Sequence, residues 1–110
     1  MSSPVLYGVY LARVRFVETS VFKPRPVIIV SRPVGSYGIV TAVPIFSSVD
    51  PEAIDVALSD WGSAGLSKPS VGRVHRMAGI AQVDLLEELG GLQAKNIQAL
   101  KRAIRKHLGL

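Results

Sequence analysis

The sequence predicts a mainly β domain, a small and strongly curved antiparallel barrel closed by helix at its C-terminal end. Three observations carry this prediction. Short apolar segments with strand character recur from Val5 to Ile80, turn chemistry rich in Gly, Pro and Ser separates them, and helical periodicity begins only after Asp84. A chain of 110 residues can bury one sizeable core but not two, so residues 1–110 are read as a single domain. The barrel is expected over about 5–80 and the C-terminal helices over about 84–108.

In the first segment, Tyr10, Ala12, Val14 and Phe16 alternate with Leu11, Arg13 and Arg15, the period of a strand with one wet face. Val27-Ile28-Ile29-Val30 is continuous and β-branched, which fits a strand buried on both sides. Arg32 to Gly38 carries turn residues, and Ile39 to Ile45 reads as a third strand that Pro44 ends or kinks. A polar loop follows over Ser47 to Glu52. Ile54, Val56 and Leu58 alternate again, Ser59 to Ser70 is a connection, and Val71 to Ile80 is expected to be the last strand. Asp84 with Glu87 matches a capping box opening a short helix through Leu89, stopped by Gly90-Gly91. A second helix is expected from Ala94 to Leu108, where Ile97, Leu100, Ile104 and Leu108 recur every three or four residues. Its Lys101, Arg102, Arg105 and Lys106 suit the negative end of the helix dipole and are read as a solvated face.

Composition narrows the function. Lys and Arg total 13 against 8 Asp and Glu, a net charge of +5, which favours an anionic partner such as a nucleic acid or an acidic protein. The longest uncharged stretch, Pro33 to Ser48, is broken by glycine and proline, so no membrane span is expected. There are no cysteines and no secretory-type N-terminal pattern; a cytoplasmic protein without metal or cofactor is the expectation.

Arg25 is the residue with the clearest chemistry. Pro24 and Pro26 fix the backbone on both sides of it, directly before the apolar run, so its guanidinium sits at the mouth of a buried strand. A planar, always-charged fork held this way suits a phosphate, although Pro-Arg-Pro also serves simply to open a strand with an exposed charge.

Several segments in order resemble the MazF/PemK-like toxins: Gly8-Val9-Tyr10-Leu11, Lys23 to Ser31, Val43-Pro44-Ile45 with Ser47, Asp60-Trp61, Gly65-Leu66, Lys68 to Val71 with Arg73, and Gly90-Gly91-Leu92. The resemblance spans nearly the whole chain. It implies an SH3-like barrel and a homodimeric endoribonuclease acting on single-stranded mRNA without metal. The ribose 2′-hydroxyl would attack the adjacent phosphate, leaving a 2′,3′-cyclic phosphate and a 5′-hydroxyl. It also implies neutralisation by a small acidic antitoxin.

By the same resemblance, Arg25 and Arg73 are expected to stabilise phosphate charge, and Ser47 to donate to a phosphate oxygen. His75 stands where some relatives carry an aspartate. An imidazole can take the 2′-hydroxyl proton and return one to the leaving oxygen, which a guanidinium does poorly. Arg73 and His75 alternate on the expected strand and so would share a face; a strand histidine without a role is the competing reading. Phe46 occupies a position where many relatives place a phosphate-holding threonine; it either stacks an RNA base or belongs to the core. Lys23, Arg13, Arg15 and Arg76 extend a cationic track for RNA or simply clothe a wet sheet face. Trp61 stacks a base, caps the barrel or supports a dimer, to which Val9 and Leu11 would add apolar contact.

Two other functions fit the residues. A catalytically silent SH3-like barrel that binds RNA or a partner protein keeps the basic surface and accommodates Phe46. A DNA-binding regulator fits the charge but lacks a helix-turn-helix pattern.

Overall fold

In the computed structural model, which describes residues 3–15, 23–47 and 50–110, seven strands and one long helix follow one another as β1 (Gly8–Val14), β2 (Lys23–Ile29), β3 (Val40–Ser47), β4 (Asp55–Ala57), β5 (Ser70–Arg73), β6 (Ala78–Ile80), β7 (Leu85–Gly91) and α1 (Ala94–Leu108). The fold class is the one predicted: a mainly antiparallel sheet with a C-terminal helix. The strand order is β4-β5-β3-β2-β1-β7, with β6 paired to β3 beside β5.

The centre of the sheet is buried on both sides, as the unbroken apolar run in β2 implied. One face gathers Val9, Ile28, Val43 and Ile45 with Val56, Leu58, Val74 and Leu100 beneath α1. The opposite face gathers Tyr10, Ala12, Val27, Ile29, Val40, Ala42, Ile80 and Leu85. Strand alternation sends neighbouring residues to opposite cores, so β1, β2 and β3 supply both.

The prolines sit where the ladder can spare their missing N–H. Val30 N–H donates to Thr41 O at 2.9 Å, so the backbone nitrogens of Pro26 and Pro24 also point toward β3. There the pairing has already ended, since its register runs only from Val27–Pro44 to Ile29–Ala42. Pro44 is likewise neither an end nor a break. On its far side β3 pairs β6 through Ala42 and β5 from Ile45, so Pro44 falls at the changeover between partners.

Four further expectations are corrected. The segment 84–89 is not a helix: Leu85–Gly91 is the strand β7, paired with β1, and Asp84 belongs to the 3-10 turn Gln82–Asp84. Pairing to the open edge of β1 buries Leu85 and bonds the backbone, which outweighs a local capping signal. The expected strand Val71–Ile80 is split by the 3-10 turn Val74–Arg76. The sheet is also not closed, because β4 and β7 do not pair among the described residues. Packing of the loop after β4 spans that gap: a Cβ on Gly90 would lie 2.7 Å from Ser63 O. Val9, expected at a dimer contact, is fully buried instead. Phe16, expected in the first strand, and the loop expected over 17–22 lie outside the described residues.

Helix α1 starts from Gln93, whose own side chain provides no cap. Asp60 holds this end from the loop, accepting hydrogen bonds from Gln93 N–H and from the side-chain amide of buried Asn96. A carboxylate there also complements the positive helix end. Gly109, left-handed at φ 73°, ends the helix, with Leu110 N–H returning to Arg105 O at 3.0 Å. Leu100 is buried as expected, whereas Leu108 is 53% exposed. No helix among the described residues is long and apolar enough to cross a membrane.

Gly65, at φ +81°, lies so close to β7 that a Cβ would collide with Leu89 O, while Gly35, at φ +79°, has open space around it. Gly35→Ala is expected to cost about 1 kcal/mol from backbone conformation alone. Gly65→Ala should cost at least about 2 kcal/mol more, because backbone must move. Urea denaturation of the two variants measures the difference; equal losses would refute the packing described for this loop.

Candidate nucleic-acid cleavage site

Residues paired across a sheet share a face, and the register places Lys23, Arg25, Phe46 and Arg73 on one. Tyr10 pairs with Val27, Ala12 with Arg25 and Val14 with Lys23. Val27 pairs with Pro44, and two residues farther along each strand lie Arg25 and Phe46. Phe46 pairs with Val71, which shares its face with Arg73, and Arg73 pairs with Asp55. This is the face away from α1.

A hollow of about 290 Å³ opens on it. Val14, Val27, Ala42, Pro44 and Ile80 form its apolar floor, while Arg15, His75 and Arg76 line it with polar and cationic groups. Lys23 and Arg25 stand on the same face at the start of β2, next in alternation after Val27. The combination suits an anionic ligand that carries apolar rings.

Arg73 has a different setting. It is 6% exposed and turned onto β4, donating from Nε to Asp55 Oδ1 at 3.1 Å and from Nη2 to Asp55 Oδ2 at 2.9 Å. Nη2 also reaches Asp50 O at 3.1 Å, and Nη1 lies 3.1 Å from Glu52 Oε1. Arg73, expected to meet a phosphate, is thus buried and bonded to protein oxygens. Burial pushes the Asp55 carboxyl up, but the Arg73 hydrogen bonds, the Glu52 N–H and the charges of Arg73 and His75 outweigh it and hold the group below its ordinary 3.8.

His75 does share a side with Arg73, though for another reason than strand alternation. The 3-10 turn carries it back so that Nε2 lies 3.1 Å from Glu52 Oε2. Phe46 is half-buried, with the Arg73 guanidinium 4.8 Å and that of Arg76 5.6 Å from its ring centre. Its ring therefore packs against cations of the chain itself. Ser47 remains in β3, paired with Ser70, and alternation turns it to the face opposite Phe46. Trp61 is half-buried in the turn before β5.

Glu52 and Asp55 were missed by the sequence reading. The sequence carries no local signal for them, since an acid alternating with Ile54 and Val56 is what any solvated strand face carries.

The depressed Asp55 group stabilises the fold fully above its unfolded-state value, and this contribution disappears as pH falls below about 4. Asp55→Asn strands the buried Arg73 charge and is expected to cost about 3–5 kcal/mol near pH 7. Urea titrations near pH 7 and pH 3 should show that gap to wild type narrowing in acid. A pH-independent gap would contradict the assignment.

Comparison with known proteins identifies the family and the fold. A family model described as PemK-like, MazF-like toxin of type II toxin-antitoxin system matches residues 7–108. The structure of the Mycobacterium tuberculosis toxin MazF-mt6 is 30% identical, with a TM-score of 0.75 over 94% of this chain and 97% of that one. An endoribonuclease from a mycobacterial species, solved with its cognate antitoxin, is 18% identical with a TM-score of 0.75, covering 100% of this chain and 97% of the other. MazF from Deinococcus radiodurans is 16% identical with a TM-score of 0.76, covering 100% of both chains. These last two share the fold. Among curated proteins no sequence match reaches significance. With a family model spanning 7–108 and a 30% identical toxin aligned over nearly its full length, the chain belongs to the PemK-like, MazF-like toxins of type II toxin–antitoxin systems.

Proposed function

We propose that this toxin is an endoribonuclease that cuts single-stranded mRNA in the cytoplasm without a metal ion. The observation that carries the reading is the apolar hollow lined by Arg15, His75 and Arg76, with Lys23 and Arg25 on the same face. Its floor suits a base and its rim suits the phosphates on either side.

The 2′-oxygen attacks phosphorus as the bond from phosphorus to the 5′-oxygen breaks, giving a 2′,3′-cyclic phosphate and a 5′-hydroxyl. His75 takes the proton of the 2′-hydroxyl and returns a proton to the departing 5′-oxygen. Arg25, set between two prolines, meets the charge that builds on the phosphate oxygens. Lys23, Arg15 and Arg76 hold the strand on either side. Arg73 supports the site from beneath, and Ser47, on the other face, is left out of the chemistry.

An acidic antitoxin neutralises the basic surface in this reading, and the toxin works as a homodimer. The exposed apolar residues Val34, Tyr37 and Ile39, tied to the turn bearing exposed Val83 by Gln82 N–H to Tyr37 O at 3.2 Å, provide surface for the second copy.

Incubated with a mixed single-stranded RNA in EDTA, the protein should release fragments ending in cyclic phosphate. Arg25→Ala is expected to slow cleavage on the order of 100-fold or more, and His75→Ala by about 100- to 10,000-fold. Retained RNA binding without any cleavage would instead establish a silent binding module. Sedimentation velocity should give twice the chain mass, reduced to the monomer by Tyr37→Glu; a monomeric wild type would rule out the dimer.

A further inference from the structure

We propose that Glu52 is a positioning residue for His75, with Arg73 and Asp55 as its buried anchor. The inference rests on the nuclease reading above.

The argument begins with the two oxygens of one carboxylate. Glu52 Oε1 lies 3.1 Å from Arg73 Nη1, and Oε2 lies 3.1 Å from His75 Nε2. A carboxylate that is 50% exposed is ordinarily mobile and contributes little through a surface ion pair. This one is fixed at both ends. Its backbone N–H donates to Asp55 Oδ2 at 2.7 Å, and that same Asp55 grips Arg73 with two hydrogen bonds. Asp55 and Arg73 have side chains only 2% and 7% exposed, so the anchor itself has little freedom.

The chain of contacts runs from a buried pair to a partly exposed imidazole. Holding Nε2 against a carboxylate keeps its hydrogen there and leaves Nδ1 as the atom that trades protons with RNA. A fixed ring also reaches the reacting oxygens without having to be ordered in each turnover. Arg73 thus acts on the reaction through Glu52, and its burial, which disqualifies it as a phosphate donor, is what makes it a firm anchor.

Glu52→Ala and Glu52→Gln are expected to lower kcat on the order of 10- to 100-fold, with KM for RNA changed less than about twofold and a smaller drop in melting temperature than Asp55→Asn gives. Long-range proton–nitrogen spectra of the neutral imidazoles provide a readout apart from activity. In the wild type the His75 ring should carry its hydrogen on Nε2; in Glu52→Ala it should become a mixture, while His107 on the exposed end of α1 stays as it was. Undiminished or faster cleavage by Glu52→Ala, or an unchanged His75 ring spectrum, overturns the proposal while leaving the nuclease reading intact. A wild type that cuts no RNA removes both.

Discussion

Burial of the central strands on both faces is the constraint from which the site follows. Val27, Ile28 and Ile29 alternate between two cores, so no polar side chain can leave the middle of the sheet without displacing one of them. Chemistry is pushed to where the strands end. Val14, the last residue of β1, pairs with Lys23, the first of β2, and β3 passes Phe46 at that same end. Arg15, Arg25 and the 3-10 turn bearing His75 and Arg76 gather there around the hollow.

Proline placement reinforces this arrangement. Pro24 and Pro26 cannot donate toward β3, so the ladder between β2 and β3 starts only at Val27. Arg25 is then carried on a segment paired on one side and stiffened by its neighbours on both, a rigid mount for its guanidinium.

The buried pair of Arg73 and Asp55 sets one cation apart from those that line the hollow. Taking two charges from water is unfavourable unless the geometry is good and the remaining atoms are bonded. Here Arg73 has the two Asp55 oxygens, Glu52 and Asp50 O around it, and β4, only three residues long, gains its attachment to β5. The cations lining the hollow, Arg15 and Arg76, lie instead where a polyanion can reach them.

Local pattern was enough for the β class, the two-sided burial of β2, the final helix and the family, because each is written in residue types at short spacing. The mismatch at Leu85–Gly91 shows where that stops: a capping box is a local preference, while the open edge of β1 that captures the segment lies more than seventy positions earlier in the chain. Ser47 was legible as a hydroxyl but not as facing away, since its direction depends on how far β3 stays paired to β5. Arg73 was legible as a cation but not as a strut, since nothing near it in sequence reveals Asp55 across the β4–β5 ladder. Sequence by itself determined which groups are present and which strands they flank. Tertiary structure alone decided which face each occupies and which partner holds it, because facing is set by register between distant strands and pairing by the burial that the whole sheet imposes.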